Sequence, residues 1–265
     1  HRRDRRLDSL LSDLVAGDMF SLFFVFARIG AAIMLMPGFG EVFVNARVRL
    51  LLALAITLVV TPLVADLVPA NPDGPLEMLL ILGREMIVGL FLGSLARALI
   101  AALQIAGEII GFQTSLSSAQ MFDPLNATQG SLIGSFLNVL GVFLIFAADL
   151  HHLLLMALLD SYVTFVPGAP LPIGDFSITI TRTIASSFRL AMQMSAPFIV
   201  MGMLFYLGLG LLARLMPQVQ VFFIAIPIQI ILGILVMIPT LSVAMMWFLG
   251  GFENRFTGLL LPGLN

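Results

Sequence analysis

The chain contains no cysteine and no lysine, and only three of its 265 residues are histidine. Without cysteine there are no disulfides, thiolate metal sites or cysteine nucleophiles. Every cation is arginine and the formal net charge is −2, so there is no positive field to gather nucleic acid. Charged residues make up 11%, against roughly 25% in soluble domains. Polar connections are also scarce. The longest, Asp66 to Glu77 and Asp160 to Arg182, are too short to bury a soluble core. No Gly-rich Lys-Ser/Thr phosphate loop is present, so the chain is not expected to supply its own energy from a nucleotide. His151 and His152 lie near Asp149 and Asp160 with no nucleophile at an arranged spacing. Neighbouring residues on a helix diverge by about 100°, which works against joint chelation by the two histidines. No enzyme activity, metal site or cofactor is therefore expected.

What remains is apolar. Hydrophobic residues reach 60% and the mean hydropathy is +1.08, which points to an all-α integral membrane protein. Leu7, Leu10, Leu11, Leu14 and Val15 form one stripe opposite Asp8, Ser9, Ser12 and Asp13, the pattern of an amphipathic lead-in helix over residues 1–18. The four arginines within His1 to Arg6 precede acids rather than a clean apolar core, so no cleaved targeting signal is expected. Six apolar stretches follow: Met19–Met36, Leu50–Leu63, Leu76–Leu103, Leu132–Leu159, Ile184–Leu212 and Val221–Leu249. They fit a bilayer poorly, some being too short and others overlong and charged. About six long, partly broken helices arranged as hairpins are expected. Pro37, Pro62, Pro197, Pro227 and Pro239 lie in or beside these runs, where each removes a backbone donor. Arginine counts favour cytoplasmic termini by seven to three, but become three against three without the first six residues.

Polar residues inside apolar runs are the candidates for function. Arg28 sits near the middle of the first stretch, where facing lipid would cost about 2.5 to 3.5 kcal/mol. Buried pairing with Glu85 or Glu108 is expected ahead of a proton-relay role, and Arg84 and Arg97 extend the pattern. The cluster at Asp149, His151 and His152 marks a helix break or an aqueous face. Small residues recur four apart at Gly89/Gly93, Gly107/Gly111 and Gly130/Gly134, permitting close helix approach. Gly107 to Asn126 is too polar for lipid and too apolar for solvent. On composition alone an ordinary interhelical loop is the favoured reading; the stretch also suits a loop packed inside a channel, where Gly111 turns, Phe112, Met121 and Phe122 plug, and Gln113, Ser115 and Ser117 bond freed backbone.

Four stretches together resemble the FliR family of export-gate proteins, whose injectisome relatives are the SctT proteins. They are Phe26–Glu41 with Asn45, Arg47 and Arg49; Gly111–Pro124; Leu153 through Pro172 to Gly174, with Asp160; and Ala213–Ile234. Two departures stand out: Gln229 where lysine is expected in many relatives, and Gln220 where asparagine is frequent. The resemblance implies one FliR domain, with a FliP-like portion over 19–185, a plug loop at about 107–124, and a FliQ-like hairpin and tail over 186–265. It also implies a single copy joined to FliP and FliQ subunits in a cone-like gate of the bacterial inner membrane, at the flagellar basal body. There the helices form hairpins lifted partly out of the bilayer plane. Further partners would be export components such as an FlhB-type protein, unfolded flagellar subunits as cargo, and membrane lipid. On this resemblance Gly111 to Phe122 seals the pore at rest, and Pro217, Gln218 and Gln220 line a cytoplasmic constriction.

Two other readings stay open: an injectisome SctT homologue, and a small-solute transporter using Arg28, Glu85, Glu108 and Asp123. The second would show paired halves, whereas Arg28 and Pro37 have no counterpart at equivalent spacing later in the chain.

Overall fold

The protein is an all-α integral membrane protein. Its computed structural model describes residues 2–69, 74–117, 131–215 and 221–260, with side chains from Met19 onward except 221–224 and 259–260. Seven α-helices occur among the described residues: α1 (Arg2–Leu35), α2 (Ala46–Val64, continued by a 3-10 turn at Ala65–Leu67), α3 (Pro75–Gln113), α4 (Leu132–Ala147), α5 (Leu150–Thr164), α6 (Ile173–Leu215) and α7 (Val221–Leu260). No strand occurs among these residues. Four helices are long and apolar enough to cross a membrane, or five crossings if α4 and α5 make one broken span.

This differs in detail from six apolar stretches read as six spans. Met19–Leu35 is a shorter apolar helix and does not count among the four candidate spans. Leu132–Leu159 divides at Ala148–Asp149, where Asp149 adopts φ 57°. Proline interrupts less than expected. Pro62, Pro197, Pro227 and Pro239 all lie inside continuous helices. Each removes one ladder bond, a loss that helices held by their neighbours tolerate.

The chain forms two compact units: His1–Arg97 with His151–Ile180 and Phe256–Asn265, and Ala98–Leu150 with Thr181–Arg255. In the first unit, α1 buries Phe24, Val25, Arg28, Ile29, Ala32 and Ile33, the two-abreast, four-apart stripe of a helix face, and Met36 just past its end is buried too. α3 packs along it through glycine. A Cβ on Gly89 would lie 3.0 Å from that of Ala31, and one on Gly93 2.8 Å from the Leu35 Cβ. Only glycine lets the two backbones approach this closely. The α1–α2 connection turns at Gly38 (φ 82°) and is fastened by Arg49, which donates to the Glu41 carbonyl at 2.9 Å. Asn45 caps α2 by accepting from the Arg47 amide at 3.0 Å.

In the second unit, the later part of α3 and α4 form an antiparallel pair. A Cβ on Gly107 would lie 2.8 Å from the Ile133 carbonyl carbon, and Ser131 donates to the Gly107 carbonyl at 2.9 Å. α6 and α7 form a second hairpin. Gln229 bonds Tyr206 near its turn, Gly251 faces Leu190, and Arg255 donates to Ser186 at 2.6 Å. Much of this hairpin remains apolar and exposed: Met203, Leu207 and Leu211 on α6, and Ile231, Leu235 and Ile238 on α7.

Candidate functional site

Among the described residues, a buried polar centre joins several helices in each unit. In the first unit it is Arg28, wholly buried on the apolar stripe of α1. Its Nε donates to Glu85 Oε2 at 2.6 Å, one Nη to Ser161 Oγ at 3.1 Å, and the other Nη to the Phe165 carbonyl at 3.1 Å. The guanidinium lies 4.0 Å over the Tyr162 ring, whose hydroxyl donates to the Val25 carbonyl at 3.4 Å. Planar guanidinium geometry, with its fixed fork of donors, suits simultaneous pairing, main-chain bonding and ring stacking. Beside it, Phe91 stacks on Phe176 at 4.0 Å, and Phe165 meets Phe176 edge-on at 5.1 Å. The centre thus ties α1, α3 and the α5 end together through a buried charge pair.

The partner is Glu85 and not Glu108. Glu108 is exposed, one residue past the glycine that abuts α4 and therefore about 100° away from that face. Arg84 reaches instead to the Gly168 carbonyl at 3.4 Å. Arg97 pairs with Glu41 at 2.7 Å while 45% exposed. His151 and His152 bring their ring centroids to 4.1 Å, so the divergence expected of helix neighbours does not hold in this first turn after the break. Side-chain torsions close the angle that the Cα directions open.

The second centre surrounds the C-terminus of α3. The segment expected as a loop from about 107 begins as helix, because Gly107 and Gly111 keep their ladder bonds while abutting α4. The Thr114 amide still bonds the Ile110 carbonyl at 2.9 Å. The turn comes at Ser115, with φ 57°, where the chain leaves the helix axis. Gln229 on α7, 2% exposed, meets that turn. Its Nε2 donates to the Gln113 carbonyl at 2.6 Å and to the Tyr206 hydroxyl at 3.3 Å, and its Oε1 accepts from Ser115 Oγ at 2.7 Å. Ser115 was expected to bond freed backbone. It bonds a side-chain amide instead, and Gln113 contributes its carbonyl.

Gly111 is buried, and a Cβ there would lie 2.7 Å from Ser117 Oγ and 2.9 Å from Ser131 Oγ. Phe112 is 71% exposed, whereas Gln113 and Ser117 are half-buried. Met121, Phe122, Pro217, Gln218 and Gln220 lie outside the described residues. Sequence reasoning missed Gln229 and Tyr206 as members of this centre. The available signal was a lone amide in the run Ile224–Ile234, four residues before Gly233, with Tyr206 four residues after Gly202.

Long apolar helices with one buried ion pair and one buried amide centre define a multi-pass membrane protein whose polar groups organise packing. Residues 19–255 match the bacterial export proteins, family 1, and the chain belongs to that family. Among its relatives is the flagellar biosynthetic protein FliR of Caulobacter vibrioides, 41% identical over 226 residues, covering 84% of this chain and 89% of the relative. The proteins of the same name from Bacillus subtilis and Escherichia coli are 33% and 30% identical. These matches cover 85% and 81% of this chain, and 88% and 82% of the relatives.

Proposed function

We propose that this chain is a channel-forming component of the flagellar type III protein-export gate in the bacterial inner membrane. It is required for flagellum assembly, passes unfolded subunits across the membrane, and seals the pore at rest. Together with the family membership, one observation carries this reading: the apolar surface of the α6–α7 hairpin is too long for lipid alone. Exposed apolar side chains run along α6 from Ile173 to Leu215. At 1.5 Å per residue that is about 63 Å, while the hydrocarbon core is about 30 Å thick. Exposed Asp175, Arg182 and Arg189 set the first part of α6 outside the hydrocarbon, so the exposed Ile173, Ile178, Ile184 and Phe188 there need protein to cover them, as in a hetero-oligomer with FliP-type and FliQ-type subunits.

On this reading the chain contributes walls and a seal rather than bond chemistry. A close-fitting segment excludes continuous water, and a second conformation of slightly higher energy lets cargo pass. Gly111, Phe112, Gln113, Ser115 and Ser117 form the described part of that seal. Arg28 and Glu85 hold its scaffold.

The test is to co-express the tagged chain with FliP-type and FliQ-type partners, purify it in mild detergent, and weigh the intact assembly by native mass spectrometry. One copy within a larger hetero-oligomer is expected. A stable lone monomer or homodimer despite abundant partners overturns the reading.

A further inference from the structure

Gln229 stands among Ile226, Ile228, Ile230 and Ile231, so its polarity serves no general solubility. A buried amide is tolerated only where its donors and acceptor find partners. Two of the three bonds of Gln229 go to one turn, and the third goes to Tyr206 on α6. The carbonyl of Gln113 is at the last residue of α3, where no following amide of the helix can reach it. Gln229 supplies that missing donor from α7. Its Oε1 meanwhile takes the hydroxyl of Ser115, the residue that holds the left-handed turn.

The helices on either side are shaped for the same turn. A Cβ on Gly202 of α6 would lie 3.0 Å from Gln113 Cδ, and one on Gly233 of α7 would lie 2.7 Å from Thr114 Cβ. Gly202 and Tyr206 share a face of α6, and Gln229 and Gly233 share a face of α7, each pair being four apart. Together they make a seat with two recesses and one amide between them.

We infer that Gln229 is a positioning residue that latches the Gln113–Ser117 turn shut by capping α3 from α7, and that cargo passage requires this amide to let go. The inference rests on the export-gate reading, in which this turn begins the seal. It adds the residue that sets the closed position. Release breaks two neutral hydrogen bonds, to the Gln113 carbonyl and the Ser115 hydroxyl, and leaves the recesses at Gly202 and Gly233 vacant. The two states therefore differ in bonding and packing, with no change of charge.

The experiment uses the whole complex, co-expressed with its FliP-type and FliQ-type partners and reconstituted in liposomes loaded with carboxyfluorescein. Deletion of residues 111–122 tests the underlying reading, and Gln229→Met tests the latch at nearly constant volume. Expected are slow dye release from wild type, fast release from the deletion, and release from Gln229→Met roughly tenfold faster than wild type. That change is in the range for losing neutral hydrogen bonds from the closed state. Ser115→Ala, which removes the hydroxyl without easing the left-handed backbone, should also leak. The double variant should leak no more than Gln229→Met alone, because both act through one bond network. Multiplying effects would indicate general loosening and overturn the latch. A leaky deletion with Gln229→Met as tight as wild type overturns the latch and leaves the export-gate reading standing. A tight deletion overturns the seal assignment and the latch with it. If Gln229→Met fails to assemble, Tyr206→Phe, which removes one acceptor at a half-exposed position, decides: a smaller rise supports the latch, and no rise overturns it.

Discussion

Arg28 and Glu85 offer the sharpest quantitative test of what holds the first unit together. Arg28→Leu leaves the Glu85 carboxylate, 3% exposed, facing an apolar side chain. Breaking a buried pair from one side costs about 3 to 5 kcal/mol, because the remaining charge is uncompensated. Loss of the Tyr162 ring contact adds to this by about 0.5 to 2 kcal/mol. Glu85→Leu is milder, since Arg28 keeps the Ser161 hydroxyl, the Phe165 carbonyl and the Tyr162 ring. About 3 kcal/mol is expected for it. In the double variant no charge is stranded, and the loss falls to about 2 or 3 kcal/mol from two vacated acceptors and imperfect packing. The cycle should therefore be strongly non-additive, the double variant being less damaged than the sum of the singles by at least about 2 kcal/mol. Thermal melts of the purified complex followed by circular dichroism read this directly. For a chain of this size about 3 kcal/mol corresponds to roughly 6 to 12 °C. Single-variant shifts under about 2 °C, or a double-variant shift equal to the sum of the two, would refute the reasoning.

Other outcomes follow from the same geometry. Gly89→Leu should lower the melting temperature, since its side chain must displace the α1 backbone at Arg28, a conflict of at least about 1 to 3 kcal/mol. Gly83→Ala in the same helix has nothing within 4 Å and should stabilise by about 0.5 to 1 kcal/mol; equal melting shifts for the two would contradict this. Glu41→Gln should cost under about 1 kcal/mol despite the 2.7 Å distance, because Arg97 is half-exposed and the pair is screened by salt. Melts at low and high ionic strength check it. The Arg28→Leu/Glu85→Leu double variant, which strands no carboxylate, should reduce the yield of assembled complex and leave the pH profile of residual export unchanged. Normal yield with an altered profile would point to a proton relay instead.

The helical, membrane-embedded nature of the chain was legible from composition, and Arg28's need for a buried partner from its position alone. Choosing between Glu85 and Glu108 required knowing which face of α3 meets α1. The spacing does contain that information. Glu85, Gly89 and Gly93 fall four apart on one stripe, and glycines mark the face where backbones touch. Glu108 follows Gly107 by a single residue and is turned off the corresponding face. Helix continuity was harder to read, because a proline's lost bond is local whereas the neighbours that support the helix around it come from distant sequence. The same holds for the polar segment near Gly111. Its glycines suggested a loop, and in the folded protein they serve a helix pressed against α4. The amide centre was least legible, since it joins residues 113 to 115, 206 and 229, which only tertiary packing brings together.

A membrane that drives export carries a voltage, and any charged group that moves along it is pulled by about 2.3 kcal/mol per 100 mV. The centre at Gln229 pairs an amide with a hydroxyl, a phenol and a main-chain carbonyl, none bearing net charge. Its bonds to the turn therefore offer no net charge for such a voltage to pull on.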